Sequence, residues 1–153
     1  MKNEILESQH TVASYELDSF GHVNNAVFLN YLEKARCDFM ALKGMQFYDF
    51  FKWHRYPVVV RAALEYKYPA KAGDKLRIKG WITKYTAISF TMQYEIILQG
   101  NNNGNESCNR LILTAETSHV FVDDNNKPVR LPEEFFQKFI AGENGENKEG
   151  DFK

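Results

Sequence analysis

The sequence has few cysteines, and this scarcity narrows what the protein can be. Only two, Cys37 and Cys108, occur among 153 residues. A pair so far apart resembles neither a disulfide framework nor a paired metal motif, and it is typical of a reducing compartment. We therefore expect a cytoplasmic protein that holds no metal and no cofactor.

The sequence also lacks an excess charge of either sign and a long apolar run. Lys and Arg number 19 against 20 Asp and Glu, so a formal net charge of -1 supplies no overall field to attract a polyanion such as nucleic acid. No stretch approaches the roughly 18 apolar residues of a membrane helix, and residues 1–10 lack the apolar core of a signal peptide. We expect neither nucleic acid nor a membrane as a partner.

What the chain does have is enough apolar material for a sizeable core. Hydrophobic residues make up 44% of it, and a chain of this length buries roughly two-thirds of the surface that its unfolded form exposes. The length fits one domain, which we place at residues 1–141. Residues 142–153 hold Phe152 as their only large apolar residue and are expected to form a disordered polar tail.

One segment has the periodicity of a long helix. Between residues 25 and 43, apolar side chains recur at steps of four, three, four and three residues, as on one face of a helix. These side chains are Phe28, Leu32, Ala35, Phe39 and Leu42. Asn24 is placed to act as the N-cap, and Gly44 to take the left-handed conformation that often ends a helix. The pattern predicts a helix over Asn25–Lys43.

Most of the remaining sequence alternates between apolar and polar residues, which is typical of strands. The predicted strands are His10–Leu17, Val58–Tyr68, Lys75–Tyr85, Ile88–Leu98 and Leu111–Phe121. Short connections, among them a polar hairpin tip over residues 100–109, favour an antiparallel sheet packed on the long helix, an α+β fold. Pro132 predicts a short helix that ends near residue 141. The aromatic-rich residues 44–56 fit either a helix or a covering loop.

The turn before the long helix concentrates polar side chains that can do chemistry. Asp18, Gly21, His22, Asn24 and Asn25 lie within eight residues. The free N–H groups and the positive dipole end of the helix favour negative charge in this turn. A carboxylate there could act as nucleophile or general base beside an oxyanion site. The residue types also fit a structural alternative, in which Asp18 and Asn24 cap the helix, Gly21 makes the turn and His22 is a partly buried hydrogen-bonding residue.

The same residues form a motif. Residues 18–25 read DxxGHVNN and residues 28–36 read FLxYxExAR. Together they resemble the signature of the 4-hydroxybenzoyl-CoA thioesterase-like branch of the hotdog-fold acyl thioesterases. The resemblance covers about residues 10–132, with a specific motif in the first third and a matching topology afterwards. It implies a hotdog fold, in which one long central helix packs on an antiparallel sheet of five or six strands.

The resemblance also implies an activity and a site. The family hydrolyses acyl-CoA or acyl-carrier-protein thioesters at a dimer interface, so we expect a homodimer or homotetramer. By position, Asp18 matches the family's catalytic carboxylate, and the backbone amide of Asn25 matches the donor that polarises the thioester carbonyl. His22 would position Asp18, water or substrate, and Gly21 and Asn24 would border the substrate.

We therefore expect hydrolysis of acyl-CoA to the free acid and CoA. Two alternatives stay open. In the first, the acyl group arrives on an acyl-carrier protein instead of on CoA. In the second, the protein binds acyl-CoA without hydrolysing it.

Residues outside the motif supply further candidates. Arg61 and Lys84 suit the phosphates of CoA, although both also fit solvated surface charges. Glu33 and Arg36, three residues apart on the helix, can pair. The phenylalanine rings that could line an acyl pocket or belong to the core are Phe20, Phe28, Phe47, Phe50 and Phe51.

The size of the acyl pocket is the last expectation. Several aromatic residues follow the helix, and Phe28 and Tyr31 lie in its first two turns, so we expect rings to narrow the pocket beside it. A narrow pocket predicts a preference for short-to-medium aliphatic or aryl acyl groups over long saturated chains.

Overall fold

The computed structural model describes residues 4–100 and 109–142. Its strands are β1 (Leu6–Thr11), β2 (Tyr56–Tyr66), β3 (Lys75–Tyr85), β4 (Ser89–Leu98) and β5 (Arg110–Val122). Its helices are α1 (Val27–Leu42), α2 (Asp49–Trp53) and α3 (Glu133–Phe135), with a 3-10 turn at Ser14–Glu16 and a π-helical turn at Phe136–Ile140. Most of the predicted hairpin tip and tail, residues 101–108 and 143–153, lies outside the described residues.

The five strands form one antiparallel sheet in the order β1-β3-β4-β5-β2. One long helix, α1, packs on this sheet, so the predicted α+β architecture is confirmed. The order places β1 and β2 at the two edges. Among the described residues, β2 pairs with β5 alone, which leaves its outer edge without a strand.

The buried face of α1 is the one that the periodicity predicted. Phe28, Leu32, Ala35 and Phe39 are all buried, whereas Leu42, the last residue of the predicted stripe, is exposed. Leu42 stays outside because the helix ends there, and Gly44 follows with a φ of 73°.

The helix and its sheet approach each other most closely at Gly80 on β3. A Cβ atom at this position would lie 2.5 Å from the ring of Phe39. Real Cβ atoms do not make contacts this short, so glycine at position 80 sets the distance between helix and sheet.

The helix begins two residues later than predicted because Asn24 holds the turn before it. The Asn24 side-chain oxygen accepts a hydrogen bond from Ala26 N at 2.9 Å, and its carbonyl oxygen accepts one from Val27 N at 2.9 Å. Asn24 therefore caps the entry turn, and Ala26 occupies the N-cap position without a side-chain bond.

The first predicted strand, His10–Leu17, is wrong in both of its bounds. The observed strand β1 ends at Thr11, and Ser14–Glu16 form a 3-10 turn. The cause is Glu16, whose carboxylate accepts the Ala13 N–H at 2.8 Å and folds the chain back on itself. This side-chain bond competes with strand pairing at the residues where the alternation looked extended.

The remaining predictions differ in smaller ways. Strand β3 has the predicted bounds, and residues 44–56, which fitted two alternatives, contain the short helix α2. The C-terminal helix begins at Glu133, directly after Pro132, and finishes as a π-helical turn. No helix in the described part of the chain is long and apolar enough to cross a membrane.

Candidate active site

The loop between the 3-10 turn and α1 is held at both of its ends. Leu17 and Val23 form an antiparallel bridge, and the Asp18 N–H donates to the His22 carbonyl at 2.7 Å. The Asn24 N–H donates to the Glu16 carbonyl at 3.0 Å. The loop therefore presents Asp18 from a closed ring of backbone contacts, immediately before α1.

Gly21 makes the reversal inside this loop. Its φ of 80° lies in the left-handed region that favours glycine. No atom lies within 4 Å of where a Cβ atom at this position would be. Glycine is therefore favoured here by its backbone conformation and not by a lack of space for a side chain.

The carboxylate of Asp18 is oriented by two backbone amides. Its Oδ1 accepts hydrogen bonds from Phe20 N at 2.9 Å and from His22 N at 3.2 Å. Within the described residues, no donor reaches Oδ2. One oxygen atom thus fixes the rotamer, and the other remains available to a water molecule or a substrate carbon.

Asn25 supplies a free backbone donor near this carboxylate in the sequence. No described residue accepts a hydrogen bond from its N–H, while its carbonyl accepts one from the Tyr66 hydroxyl at 3.0 Å. The first helical residue, Val27, follows two positions later. The free amide therefore lies at the positive end of the α1 dipole, where a developing oxyanion is stabilised.

The other predicted loop residues have distinct roles. The Asn24 side chain is occupied by its bond to Ala26 N, which is the structural role that the sequence left open. The His22 ring is half-buried, and no described side chain hydrogen-bonds it, so it remains free to meet a ligand.

The sequence did not predict a cluster of three side chains, His10, Glu16 and Tyr31. His10 Nε2 lies 3.0 Å from Glu16 Oε1, and the His10 ring lies 4.4 Å from that of Tyr31. Burial disfavours the charge on Glu16, but hydrogen bonds from Ala13 N and His10 outweigh it and hold the pKa of this carboxyl below its usual range. Burial also raises the pKa of the Tyr31 hydroxyl. Because the three residues lie on separate elements, no spacing in the sequence could reveal the cluster.

Arg61 and Lys84 do not join the loop of their own chain. Arg61 Nη1 lies 2.6 Å from Glu116 Oε1 on the exposed face of the sheet. Hydrogen bonds from Gln93 and Arg61 lower the pKa of Glu116, and the positive charge of Lys84 lowers it further. Both cations therefore lie on the sheet face opposite α1. Contact of these two side chains with the phosphates of CoA stays a prediction.

An apolar pocket of about 270 Å³ opens beside the middle of α1. Helix residues Glu33, Arg36, Cys37 and Met40 form one side. Rings form most of the rest: Phe47, Phe50, Phe51, Tyr56, Phe90, Phe135 and Phe139 line it with His119. Partial burial and the Glu33 carboxylate raise the pKa of the Cys37 thiol, so this pocket cysteine is not activated as a nucleophile.

The pocket separates the candidate phenylalanines into three groups. Phe47, Phe50 and Phe51 line it, as predicted for an acyl pocket. Phe28 is buried in the core, and Phe20 is 86% exposed on the loop. Phe28 and Tyr31 do not line this pocket, because both rings are buried in the core, so the rings that narrow it include those that follow the helix.

The predicted pair between Glu33 and Arg36 is also absent from the described residues. Arg36 Nη1 donates instead to the Tyr94 hydroxyl at 3.2 Å. In the same part of the chain, no group of three or more His, Cys, Asp or Glu side chains could hold a metal ion.

Comparison with known proteins places this geometry in a family. The family model described as Thioesterase-like superfamily matches residues 12–139. A solved structure of a 1,4-dihydroxy-2-naphthoyl-CoA thioesterase from Synechocystis superposes with a TM-score of 0.77 at 23% identity, covering 88% of this chain and 95% of that one.

Two curated relatives show sequence similarity. The long-chain acyl-CoA thioesterase FadM of Escherichia coli is 34% identical over 98 residues, which cover 61% of this chain and 70% of the relative. A chloroplastic acyl-acyl carrier protein thioesterase of Arabidopsis thaliana is 28% identical over 138 residues, covering 90% of this chain and 69% of the relative. The chain thus spans about two thirds of the length of these relatives.

The family match covers far more than half of the chain and includes the Asp18 loop, α1 and all strands after β1. It agrees with the hotdog architecture and with the class of enzyme that the motif implied, and both expectations are confirmed. The chain belongs to the Thioesterase-like superfamily.

Proposed function

We propose that this protein hydrolyses acyl-CoA thioesters to the free acid and CoA, with Asp18 as the catalytic carboxylate. The observation that supports this proposal most strongly is the hydrogen bonding of the Asp18 carboxylate. Two loop amides hold Oδ1, Oδ2 is unoccupied among the described residues, and the free Asn25 N–H lies a few residues on, at the start of α1.

The reaction needs only these groups and water. As a general base, Asp18 Oδ2 takes a proton from water, and the water oxygen attacks the thioester carbonyl carbon. The Asn25 N–H stabilises the resulting oxyanion, an effect worth about 3 to 4 kcal/mol for one donor in comparable sites. The C–S bond then breaks, and the CoA thiolate leaves and takes up the proton. As a nucleophile, Asp18 Oδ2 would instead attack the carbonyl carbon and form an anhydride as the C–S bond breaks and the CoA thiolate leaves. Water then cleaves the anhydride to the free acid and the Asp18 carboxylate.

We further propose that the protein works as a homodimer joined through β2. The outer edge of this strand is unpaired, and Val58, Val59 and Val60 are 38%, 49% and 60% exposed along it. An exposed apolar edge strand favours pairing with another chain. The same strand reaches the site, because the Tyr66 hydroxyl binds the Asn25 carbonyl. A second subunit on β2 would therefore lie beside the oxyanion donor.

The second candidate is hydrolysis of acyl groups carried by an acyl-carrier protein. The observation that favours it is the similarity to the Arabidopsis enzyme, which covers 90% of this chain. The aromatic side chains of Phe20 and Tyr15, exposed at 86% and 88% beside the loop, offer a contact for a carrier protein. Free CoA does not need them.

The experiment that tests the proposal presents one acyl group on both carriers and measures the release of thiol. Faster release from acyl-CoA, as kcat/KM, is the expected result. A much higher kcat/KM with the carrier protein would make the second candidate correct. Tight acyl-CoA binding without any thiol release would reject both and leave a non-catalytic binding protein.

A further inference from the structure

The aromatic pocket beside α1 has a polar floor that thioester hydrolysis does not require. His119 on β5 lines it and is 2% exposed. Its ring stacks on Phe90, with centroids 4.5 Å apart and planes 6° from parallel, so its orientation is fixed. Burial lowers the pKa of His119 to about 3, which keeps the imidazole neutral near neutral pH.

A chain of hydrogen bonds connects this histidine to α1. Arg36 Nη1 donates to the Tyr94 hydroxyl at 3.2 Å, and the Tyr94 hydroxyl lies 2.7 Å from Thr117 Oγ1. Thr117 Oγ1 in turn lies 2.8 Å from His119 Nε2. Tyr94 and Thr117 are each 1% exposed, so water does not compete for these bonds.

The direction of the chain follows from the donors available. A guanidinium only donates, so the Tyr94 oxygen accepts from Arg36. The buried Tyr94 hydrogen then has Thr117 Oγ1 as its acceptor, and the Thr117 hydrogen goes to His119 Nε2. This is the arrangement in which both hydroxyl hydrogens of the chain, those of Tyr94 and Thr117, are bonded. A neutral imidazole that accepts at Nε2 carries its proton at Nδ1, and no described residue accepts from Nδ1.

Exposed residues on one side of α1 lie between the candidate active site and the pocket. Ala26, Leu29 and Glu33 are exposed and lie three and four residues apart on one side of α1, and Arg36, Cys37 and Met40 continue that side into the pocket. From Val27, its first residue, to Glu33 the helix rises by about 9 Å. An acyl group whose carbonyl binds the Asn25 amide therefore meets the pocket with the part of its chain distant from the thioester.

We infer that His119 is a specificity residue, whose Nδ1–H donates a hydrogen bond to an oxygen atom in the distal half of the acyl group. The substrate class is then medium-to-long acyl thioesters with a ketone, hydroxyl or similar acceptor far from the thioester. The rings hold the hydrocarbon around that oxygen. This inference rests on the proposed function, because it assumes that the pocket holds the acyl group.

The experiment compares matched substrates in the parent protein and in His119→Phe. Decanoyl-CoA and tetradecanoyl-CoA are each assayed, below micelle formation, against isomers with one ketone in the distal half. Phenylalanine preserves the stacking on Phe90 and removes the donor. The parent should prefer at least one ketone isomer by about tenfold in kcat/KM, the size of effect that one well-placed hydrogen bond gives. The variant should show a ratio near one, whatever its absolute rate.

Each outcome separates this inference from the proposed function. Thiol release without a preference for any ketone isomer, or a preference that survives in His119→Phe, overturns the inference and leaves hydrolysis intact. If no thiol is released, calorimetric binding of the free oxo acids and of their unsubstituted counterparts still measures the preference.

A measurement without any substitution tests the donor itself. Long-range ¹H–¹⁵N correlation spectra distinguish the two neutral tautomers of a histidine. We expect the Nδ1–H form at His119 at pH 7. The Nε2–H form would overturn the inference even if His119→Phe fails to fold.

Discussion

Three side chains near the start of α1 use an oxygen atom to hold backbone N–H groups. Glu16 binds Ala13 N, Asp18 binds Phe20 N and His22 N, and Asn24 binds Ala26 N. All are short-range bonds of the kind that acidic and amide residues form in turns. They fix the loop without using Asp18 Oδ2, so the residue that shapes the turn keeps one oxygen atom available for the proposed reaction.

Burial of His119 predicts how stability changes with pH. The folded protein holds this ring neutral down to a pKa of about 3, whereas the unfolded chain binds a proton near pH 6.5. Unfolding therefore takes up a proton between these values. The contribution of His119 to the free energy of unfolding is complete above pH 6.5 and is lost as the pH falls, by up to about 1.4 kcal/mol per pH unit.

Urea titrations at pH 7, 6 and 5 measure the free energy of unfolding and check this prediction. Carboxyl groups change their protonation little between pH 5 and 7, so they add little to the pH dependence of that free energy. His119→Gln, which does not titrate, is the control. The parent should lose stability more steeply than the variant as the pH falls. Parallel curves would mean that His119 is not held neutral by the fold.

Local sequence was sufficient for some residues and not for others. Gly21 could be assigned to the turn from the sequence, because the hydrogen bonds of that turn join residues at most four positions apart. The Arg36 bond to Tyr94 spans 58 positions, and nothing in the sequence distinguishes it from the predicted pair with Glu33. Which side chain Arg36 meets depends on which strand lies beneath the helix and on the register of that strand. Both are set by the pairing of the whole sheet.

At the scale of elements, the distance between α1 and the sheet depends on Gly80. We predict that Gly80→Ala lowers the free energy of unfolding by about 1 to 3 kcal/mol, because the added methyl group would overlap the Phe39 ring, which is 0% exposed and cannot move aside. Guanidinium denaturation measures the loss.

The matched control is the double variant Gly80→Ala/Phe39→Leu. A smaller side chain at position 39 makes room for the new methyl group, so the two substitutions together should cost less than the sum of their separate effects. Strict additivity would show that the two positions do not touch.

Elements were predicted well where one face is buried and poorly where a side chain intervenes. Strand β3 has the predicted bounds because Leu76 and Ile78 face the core in strict alternation. The predicted bounds of strand β1 were wrong because the Glu16 carboxylate binds Ala13 N. This bond folds the backbone into the 3-10 turn that begins at Ser14, two residues after Val12. In the middle of the edge strand β2, residues on both faces are exposed. The alternation of apolar and polar residues in this strand therefore did not indicate which face is buried.

At the scale of the whole molecule, the open edge of β2 predicts the assembly. We expect sedimentation at micromolar concentration to give a dimer. Val60→Lys should shift the protein to the monomer, because an inserted lysine blocks edge-to-edge pairing of strands.

Leu111→Lys is the control for that substitution. Leu111 is also an exposed apolar residue, at 39%, but it lies on β5, which is paired on both sides. This variant should remain a dimer. A parent protein that sediments as a clean monomer would contradict the proposal that β2 joins two subunits.

The catalytic role proposed for Asp18 can be tested with the substitution Asp18→Asn. Asparagine retains an oxygen atom that can accept the Phe20 and His22 amides, so the loop should keep its shape while the carboxylate is lost. Asp123 offers a matched control, because its Oδ1 binds Asn125 N at 2.8 Å and Lys127 N at 3.0 Å in the same spacing. Asp123→Asn repeats the chemical change in a loop far from α1 in sequence.

The decisive measurement is kcat/KM for acyl-CoA hydrolysis in the parent and both variants, with thermal unfolding recorded for each. We predict a loss of about a hundredfold or more for Asp18→Asn, comparable to removal of other groups that act on the transition state. Asp123→Asn should retain the parent rate. If folded Asp18→Asn hydrolyses acyl-CoA at a rate near that of the parent, Asp18 is not the catalytic carboxylate.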